Sequence, residues 1–594
     1  MFEFIELNKV KRYLIASADE RTWKFDRPVI FLGEWCRTYE RRHIWQNMDA
    51  IVASPYGLGA AQKDADFTEA RALHDKLFTL LCEALNQYHA VQHSEKFWRI
   101  VLGHWLRRYV DMMLNRFKTL EQCLQTHQIS GVTVYSSDHY VLATQDSYSA
   151  IWASNDDRWN NALISRLIIF PGLISFPVEV IADVESGFFR FKALPTLKRT
   201  VLKWGYEQLG KLARYLARDT DAFIINTYLP AKESIKLEFA LGQCPQFRMT
   251  TKFEVSDKYN PLQREVLIKQ FVGESTSNLE CFLYSMLFEL LPICFLEGFS
   301  SLNKCVEEQS WPKSPKFIFT SNNFDTDELF KLWTASKVES GTKYFIGQHG
   351  NNYGTYRYIY PVIEEVTADK FLTWGWTDGL PQHTPAFIFK TTGIKAKHFN
   401  PKGNLLLIED MYYHRIDTWD RSAEHLIYFS EQVEFTRALL EEPFSKLVVR
   451  AHPAYKYNNP YEKEIWGSVN AAIKFDPGNV NISDLIAQSR LVVHSYDSTG
   501  ILENLSQNIP TLAFWQNGFD HLRESAKPYY QLLVDAGVVH FSPKSIAQKV
   551  NEIWDDVDSW WGQDDVQDAR LKFIERYARI EPRPAKRLIT ILME

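Results

Sequence analysis

Two short stretches carry residue types suited to holding an anion. The run 446–453 ends in Arg450-Ala451-His452-Pro453, and a second apolar run ends at Ser495-x-x-Ser498-Thr499-Gly500. A strand stopping at an Arg-x-His-Pro loop, and another stopping at a hydroxyl-rich turn that opens a helix, build an anion pocket at the carboxyl edge of an α/β sheet. Arg450 offers a fixed cation for phosphate. His452 can donate to a phosphoryl oxygen, or simply cap a turn stiffened by Pro453. Ser495, Ser498 and Thr499 offer hydroxyls, and Thr499-Gly500 sits where a helix presents free N–H groups; a plain N-cap is the alternative use. Glu503, one turn further on, suits ribose hydroxyls. Together these residues imply a nucleotide-linked substrate.

The loop Gly347-Gln-His-Gly-Asn-Asn-Tyr-Gly354 follows a strand expected at 343–346. Its glycines let the backbone approach a ligand around Gln348, His349 and Gly350, with a tight structural turn as the plainer reading. Glu364, Glu365, Asp369 and the aromatic run 371–376 follow it. Glu409-Asp410 ends another apolar run, where a carboxylate can serve as general base or nucleophile. Strand alternation makes the two diverge, and Asp410 is favoured to face the cleft. Asp325-x-Asp327 resembles a metal-binding D-x-D, but it directly precedes a helical stretch and reads as an N-terminal cap. No other spacing suggests a metal, and no cofactor is implied.

The elements that must position these residues are strands alternating with helices. Apolar runs at 29–33, 222–226 and 316–320 read as buried strands, and 68–89, 94–125, 231–241 and 326–338 show helical spacing. Past the polar breaker Pro401-Lys402-Gly403, six runs, at 405–408, 447–449, 473–475, 491–493, 511–514 and 538–541, alternate with helical segments in a Rossmann-like pattern. The expected fold is therefore α/β and GT-B-like, with two Rossmann-like domains facing a cleft. Residues 1–400 form an N-terminal acceptor-side domain with helical insertions and 401–594 a C-terminal nucleotide-donor domain, the segment after Asp564 packing away from the second sheet.

At 594 residues, with 45% hydrophobic and 24% charged, the chain is too long for one core. A net charge of -6 gives no electrostatic footprint for nucleic acid. The 7 cysteines include no C-x-x-C pair, so neither a zinc site nor a disulfide framework is indicated. Acidic residues interrupt the N-terminus where a signal peptide needs an apolar core. The apolar stretch 279–299 contains Glu280, Glu289, Pro292 and Glu297 and reads as a buried helix. The expected location is cytoplasmic, at most peripheral at the inner membrane.

The order Phe31-Leu-Gly-Glu-Trp-Cys36, Phe97-Trp-Arg-Ile-x-x-Gly103-x-Trp105-Leu106, Gln348-His-Gly-x-x-Tyr-Gly354 and Phe371-x-Thr-Trp-Gly-Trp376 resembles a bacterial family of transferases from O-antigen and surface-carbohydrate loci. The resemblance spans essentially the whole chain. More remotely, His452-Pro453 and Ser498-Thr499 resemble the His-Pro and Ser-Ser/Thr motifs of sialyltransferases and Kdo transferases, GT-B enzymes that use CMP-activated sugars. That likeness implies a metal-independent enzyme of lipopolysaccharide or other surface-glycan synthesis, moving a Kdo- or sialic-like ulosonic acid from CMP to a glycan or lipid-linked glycan acceptor. The sialyltransferase base motif is missing, and the likeness to retaining Kdo transferases implies Asp410 as nucleophile, with His349 and His452 across the cleft. The alternatives are another donor, a UDP- or GDP-sugar or CDP-glycerol, and a non-catalytic carbohydrate-binding protein.

Overall fold

The structure, a computed structural model, describes residues 10–136, 140–182, 187–189, 210, 216–250, 253–271, 277–359, 362–394, 400–411, 415–455 and 461–594. Three large parallel sheets organise it. The C-terminal sheet runs Lys474–Asp476, Leu447–Arg450, Asn404–Ile408, Ser489–His494, Thr511–Phe514, Val539–His540. In chain order that is 3-2-1-4-5-6, the arrangement of dinucleotide-binding folds. Leu405, Leu406 and Leu407 are fully buried, because helices cover both faces of a parallel sheet and leave no solvent side for alternation.

The middle sheet runs His383–Pro385, Lys370–Thr373, Tyr344–Gly347, Ile318–Thr320, Phe223–Ile225, again parallel throughout. Its carboxyl edge meets that of the C-terminal sheet. Asn351 N–H donates to Thr499 Oγ1 at 2.9 Å, Asn351 Nδ2 donates to Asp497 Oδ1 at 2.8 Å, and Lys390 pairs with Glu503 at 2.6 Å. An antiparallel bridge between Tyr356 and Leu522 continues the seam. The fold is α/β and GT-B-like, two Rossmann-like sheets facing each other across a cleft.

The first third of the chain adds an unforeseen layer. Its sheet runs Ala50–Val52, Val29–Phe31, Arg12–Ile15, Ile129–Tyr135, Val178–Ile181, order 3-2-1-4-5. The expected unit 1–400 thus contains two large sheets. The strand at 12–15, Arg-Tyr-Leu-Ile, is too short and too mixed to announce itself, and its partner begins at Ile129, beyond two long helices. Those helices, Ala60–His89 and Glu95–Thr126, pack together, and the second also lies against helix Glu328–Glu339 of the middle layer. Ser94 starts the second as N-cap, accepting from Phe97 N–H at 3.2 Å.

The stretch expected as one buried helix is broken. Helix Asn278–Leu290 ends at Leu291, whose backbone is extended, ψ 126°; a 3-10 turn Ile293–Phe295 follows, and a new helix starts at Phe299. Pro292 removes an N–H and disfavours helical backbone at the residue before it. No helix among the described residues is long and apolar enough to cross a membrane. At the end of the chain, helix Asp564–Tyr577 packs on the C-terminal layer, whereas helix Pro584–Met593 returns to the middle sheet, where Leu588, Ile591 and Leu592 join Ala222, Ile224 and Phe345.

Candidate active site

In the C-terminal sheet the chain-order reversal lies between Asn404–Ile408 and Ser489–His494, the crevice where open α/β sheets bind ligands. Glu409, Asp410 and Ser495 all sit at that crevice. Glu409 turns into the core, meeting Trp466 Nε1 at 3.0 Å, and burial with the neighbouring Glu462 carboxyl pushes its own carboxyl well up. Asp410 diverges from it, half-buried near Tyr428, with burial raising its carboxyl above the usual range. Its Oδ1 accepts from Met411 N–H at 2.7 Å.

Several residues expected to hold the donor are occupied by the protein itself. Arg450 is buried against Asp476, 2.5 Å away at the end of the neighbouring strand, so its guanidinium is not a free phosphate cation. Ser498 is the N-cap of helix Thr499–Ser506, accepting from Ile501 N–H and lying 3.0 Å from His494 Nδ1. Ser495 Oγ shares a hydrogen with Tyr428 at 2.6 Å, Thr499 accepts from Asn351, and Glu503 holds Lys390. A Cβ at Gly500 would stand 2.6 Å from His494 Cε1, so this glycine serves packing. His452 Nδ1 accepts from Ala454 N–H at 3.2 Å, the turn-capping use, which leaves Nε2 without a hydrogen-bond partner among the described residues. Burial, then the charge of Arg450, lowers its basicity. Pro453 is pressed against Gly478.

The loop 347–354 fastens most of its residues to the protein itself. Gln348 is buried and spends its amide inside: Nε2 donates to Gly350 C=O at 2.9 Å, while Oε1 accepts from Trp374 N–H and Trp376 Nε1, each at 2.8 Å. It is a clasp between the loop and the aromatic run rather than a ligand contact. Gly350 lies against Thr499, a seam position. Gly354 has φ +71° and would place a Cβ 2.3 Å from the Trp376 ring. Gly354→Ala is expected to destabilise the fold by about 1–3 kcal/mol, through left-handed strain and overpacking together; a denaturation midpoint equal to wild type would show that the loop is not held this way.

His349 is the loop's basic side chain. Burial holds its imidazole neutral, with a pKa lowered to about 4. Its Nδ1 lies 3.2 Å from Tyr353 Oη, and Tyr353 donates in turn to Glu364 Oε1. A phenol has one hydrogen, so when Glu364 is ionised Tyr353 accepts from His349 Nδ1–H, leaving Nε2 as the open base. Nε2 has no hydrogen-bond partner among the described residues. Glu364 is pushed up to about 7, chiefly by burial. Nearby, His104 Nε2 lies 3.7 Å from Glu364, and burial lowers its pKa to about 3.

Asp325 faces this cluster. Burial alone would raise its carboxyl, but two bonds of 2.7 Å from Arg108 outweigh that and hold it far below the usual range. Only Asp327 is the helix cap, accepting from Phe330 N–H at 3.1 Å, so the reading of the D-x-D as a cap holds for one of its two carboxylates. Sequence spacing pointed to Glu364 as a neighbour of the loop but not as the end of a His-Tyr-Glu relay. Tyr353 was visible only as a motif letter, and His104 and Arg108 approach from a helix more than 200 residues earlier.

The profile of LIC12162 family transferases matches residues 12–592. The chain belongs to that family. In sequence, no curated protein matches this transferase. Among solved structures it is similar to Acinetobacter baumannii MurG, at 10% identity over 50% of this chain and 77% of that one, TM-score 0.29. It is also similar to the spinosyn rhamnosyltransferase SpnG, at 13% identity over 63% of this chain and 100% of that one, TM-score 0.31. The wall teichoic acid polymerase TagF aligns at 10% identity over 67% of this chain and 95% of that one, TM-score 0.31. At such scores the architecture of the transferase is read from its own sheets.

Proposed function

We propose that this transferase is a glycosyltransferase of surface-glycan synthesis, in which a nucleotide-activated sugar lies at the chain-reversal crevice of the C-terminal sheet and His349 takes the proton from an acceptor hydroxyl. The observation that carries this reading is the His349-Tyr353-Glu364 relay, set on the edge that faces that crevice. A neutral imidazole with a fixed tautomer and an open Nε2 is what general-base removal of a hydroxyl proton requires. His452 sits on the donor side: with Nδ1 accepting from Ala454 N–H, its neutral ring carries the hydrogen on Nε2, from which it can donate to the departing phosphate. Asp325 is bound to Arg108 and Asp327 caps a helix, so the proposed transfer uses no divalent ion at the D-x-D.

A CMP-activated ulosonic acid is the finer donor reading, supported by the order of the His-Pro and Ser-Thr motifs. It loses one support, since Arg450 is taken by Asp476. Thermal-shift measurements with CMP, UDP, TDP and GDP decide it, because a ligand that binds only the native state raises stability by mass action. Stabilisation by CMP alone is expected for the ulosonic donor; a preference for UDP, TDP or GDP refutes that donor, and no response to any of them refutes the glycosyltransferase reading. Asp410→Asn separates two mechanisms. If Asp410 is the nucleophile, the variant loses turnover by more than about 100-fold while still binding nucleotide; near-normal turnover leaves His349 as the reacting group.

A further inference from the structure

The N-terminal sheet has its own chain-order reversal, between Arg12–Ile15 and Ile129–Tyr135, and a cavity of ≈ 280 Å³ opens there. Residues 17–21 leave the first of these strands, Tyr135 ends the second, and Asp157 and Asn161 come from the helix Asp157–Ile168. Open α/β sheets bind ligands at this position. The volume is at the small end of small-molecule sites, room for a monosaccharide rather than a nucleotide sugar.

The lining chooses the chemistry. It holds four carboxylates, Asp19, Glu20, Glu40 and Asp157, and three guanidiniums. Arg21 is paired with Asp19 and Arg41 with Glu20, each at 2.6 Å. With Arg415 at the rim the four carboxylates are matched by four guanidiniums, so an anion meets no net positive charge, and an apolar molecule would strip water from ions without replacing it. A neutral polyhydroxylated ring satisfies both signs, since each hydroxyl donates to a carboxylate and accepts from a guanidinium. Asp157 adds a carboxyl pushed up to about 6, by burial first. The rim also connects to the proposed reaction site: Arg415, a few residues beyond Asp410, reaches Asp157 at 3.4 Å and Glu40 at 4.0 Å.

We propose that this cavity binds a neutral monosaccharide unit of the acceptor glycan, away from the hydroxyl that reacts; the acceptor role rests on the glycosyltransferase reading, while the binding of a sugar does not. The test is saturation-transfer NMR on the full chain with glucose, galactose, mannose and N-acetylglucosamine, with inorganic phosphate and glucuronate as anionic probes. At least one neutral sugar is expected to receive saturation. Its apparent affinity is expected to fall about tenfold in Asn161→Ala and in Asp157→Asn, the scale of one lost hydrogen bond. Circular dichroism and the nucleotide thermal shifts are expected to stay as in the wild type, so failure here and failure of the donor reading are seen separately. Saturation of no neutral sugar, an undiminished signal in both folded variants, or a response to the anions alone would overturn the proposal.

Discussion

His349→Ala is expected to lower turnover by about 10²- to 10⁴-fold, the range for loss of a general base, with nucleotide binding and fold intact. The pH profile ties this effect to the relay. Tyr353 can pass its hydrogen to Glu364 only while Glu364 is a carboxylate, and that carboxyl titrates at about 7. Activity is therefore expected to rise with pH through about 7, and Tyr353→Phe to abolish that inflection while leaving part of the rate. Stability runs in the opposite direction. The folded protein keeps on Glu364 a proton that the unfolded chain releases from 4.5 upward, so this contribution is full below about 4.5 and lost as pH climbs to about 7. On the order of 3 kcal/mol is at stake, from the pKa difference converted at 1.36 kcal/mol per unit. Glu364→Gln is expected to flatten that decline. A His349→Ala enzyme with wild-type turnover, or a profile without an inflection near neutrality, would remove the relay from the mechanism.

Arg264→Ala is expected to cost about 3–5 kcal/mol, the loss seen when one partner of a buried ion pair is removed. Arg264 and Glu297 have side chains only 1% and 6% exposed and meet at 2.6 Å. The guanidinium also donates to Leu291 C=O at 2.7 Å and to Phe288 C=O. Truncation would strand a buried carboxylate and two carbonyls at the break around Pro292. Replacing both partners with apolar side chains, Arg264→Met with Glu297→Leu, is expected to recover most of the loss, because no unpaired charge then remains. Chemical denaturation checks both variants, and a single-variant loss under about 1 kcal/mol would show that the pair is not holding this break.

Local chemistry was legible in the sequence. The runs 405–408, 447–449 and 491–493 announced buried parallel strands because residues covered on both faces need no polar alternation. Asp327 before a helical stretch announced a cap, and the alternation at Glu409-Asp410 announced that the two carboxylates diverge. These are properties of a residue and its near neighbours, so period and propensity encode them.

What the tertiary structure alone decided is which distant groups stand side by side. Arg450 and Asp476 become partners because their strands are neighbours in the sheet, and that turns an expected phosphate cation into an internal ion pair. Tyr13 lies beside Gly131 in a sheet whose strands, three or four residues long in places, are too brief to show a period. The relay needs Glu364 folded back beneath Tyr353, and the low carboxyl of Asp325 needs Arg108 from a helix in another layer. Sequence alone determined the reactive types and the elements that carry them. Strand order and burial determined which were neutralised, which were fastened to the protein itself, and which were left open to do chemistry, because pairing energy and desolvation depend on distances that a linear sequence does not contain.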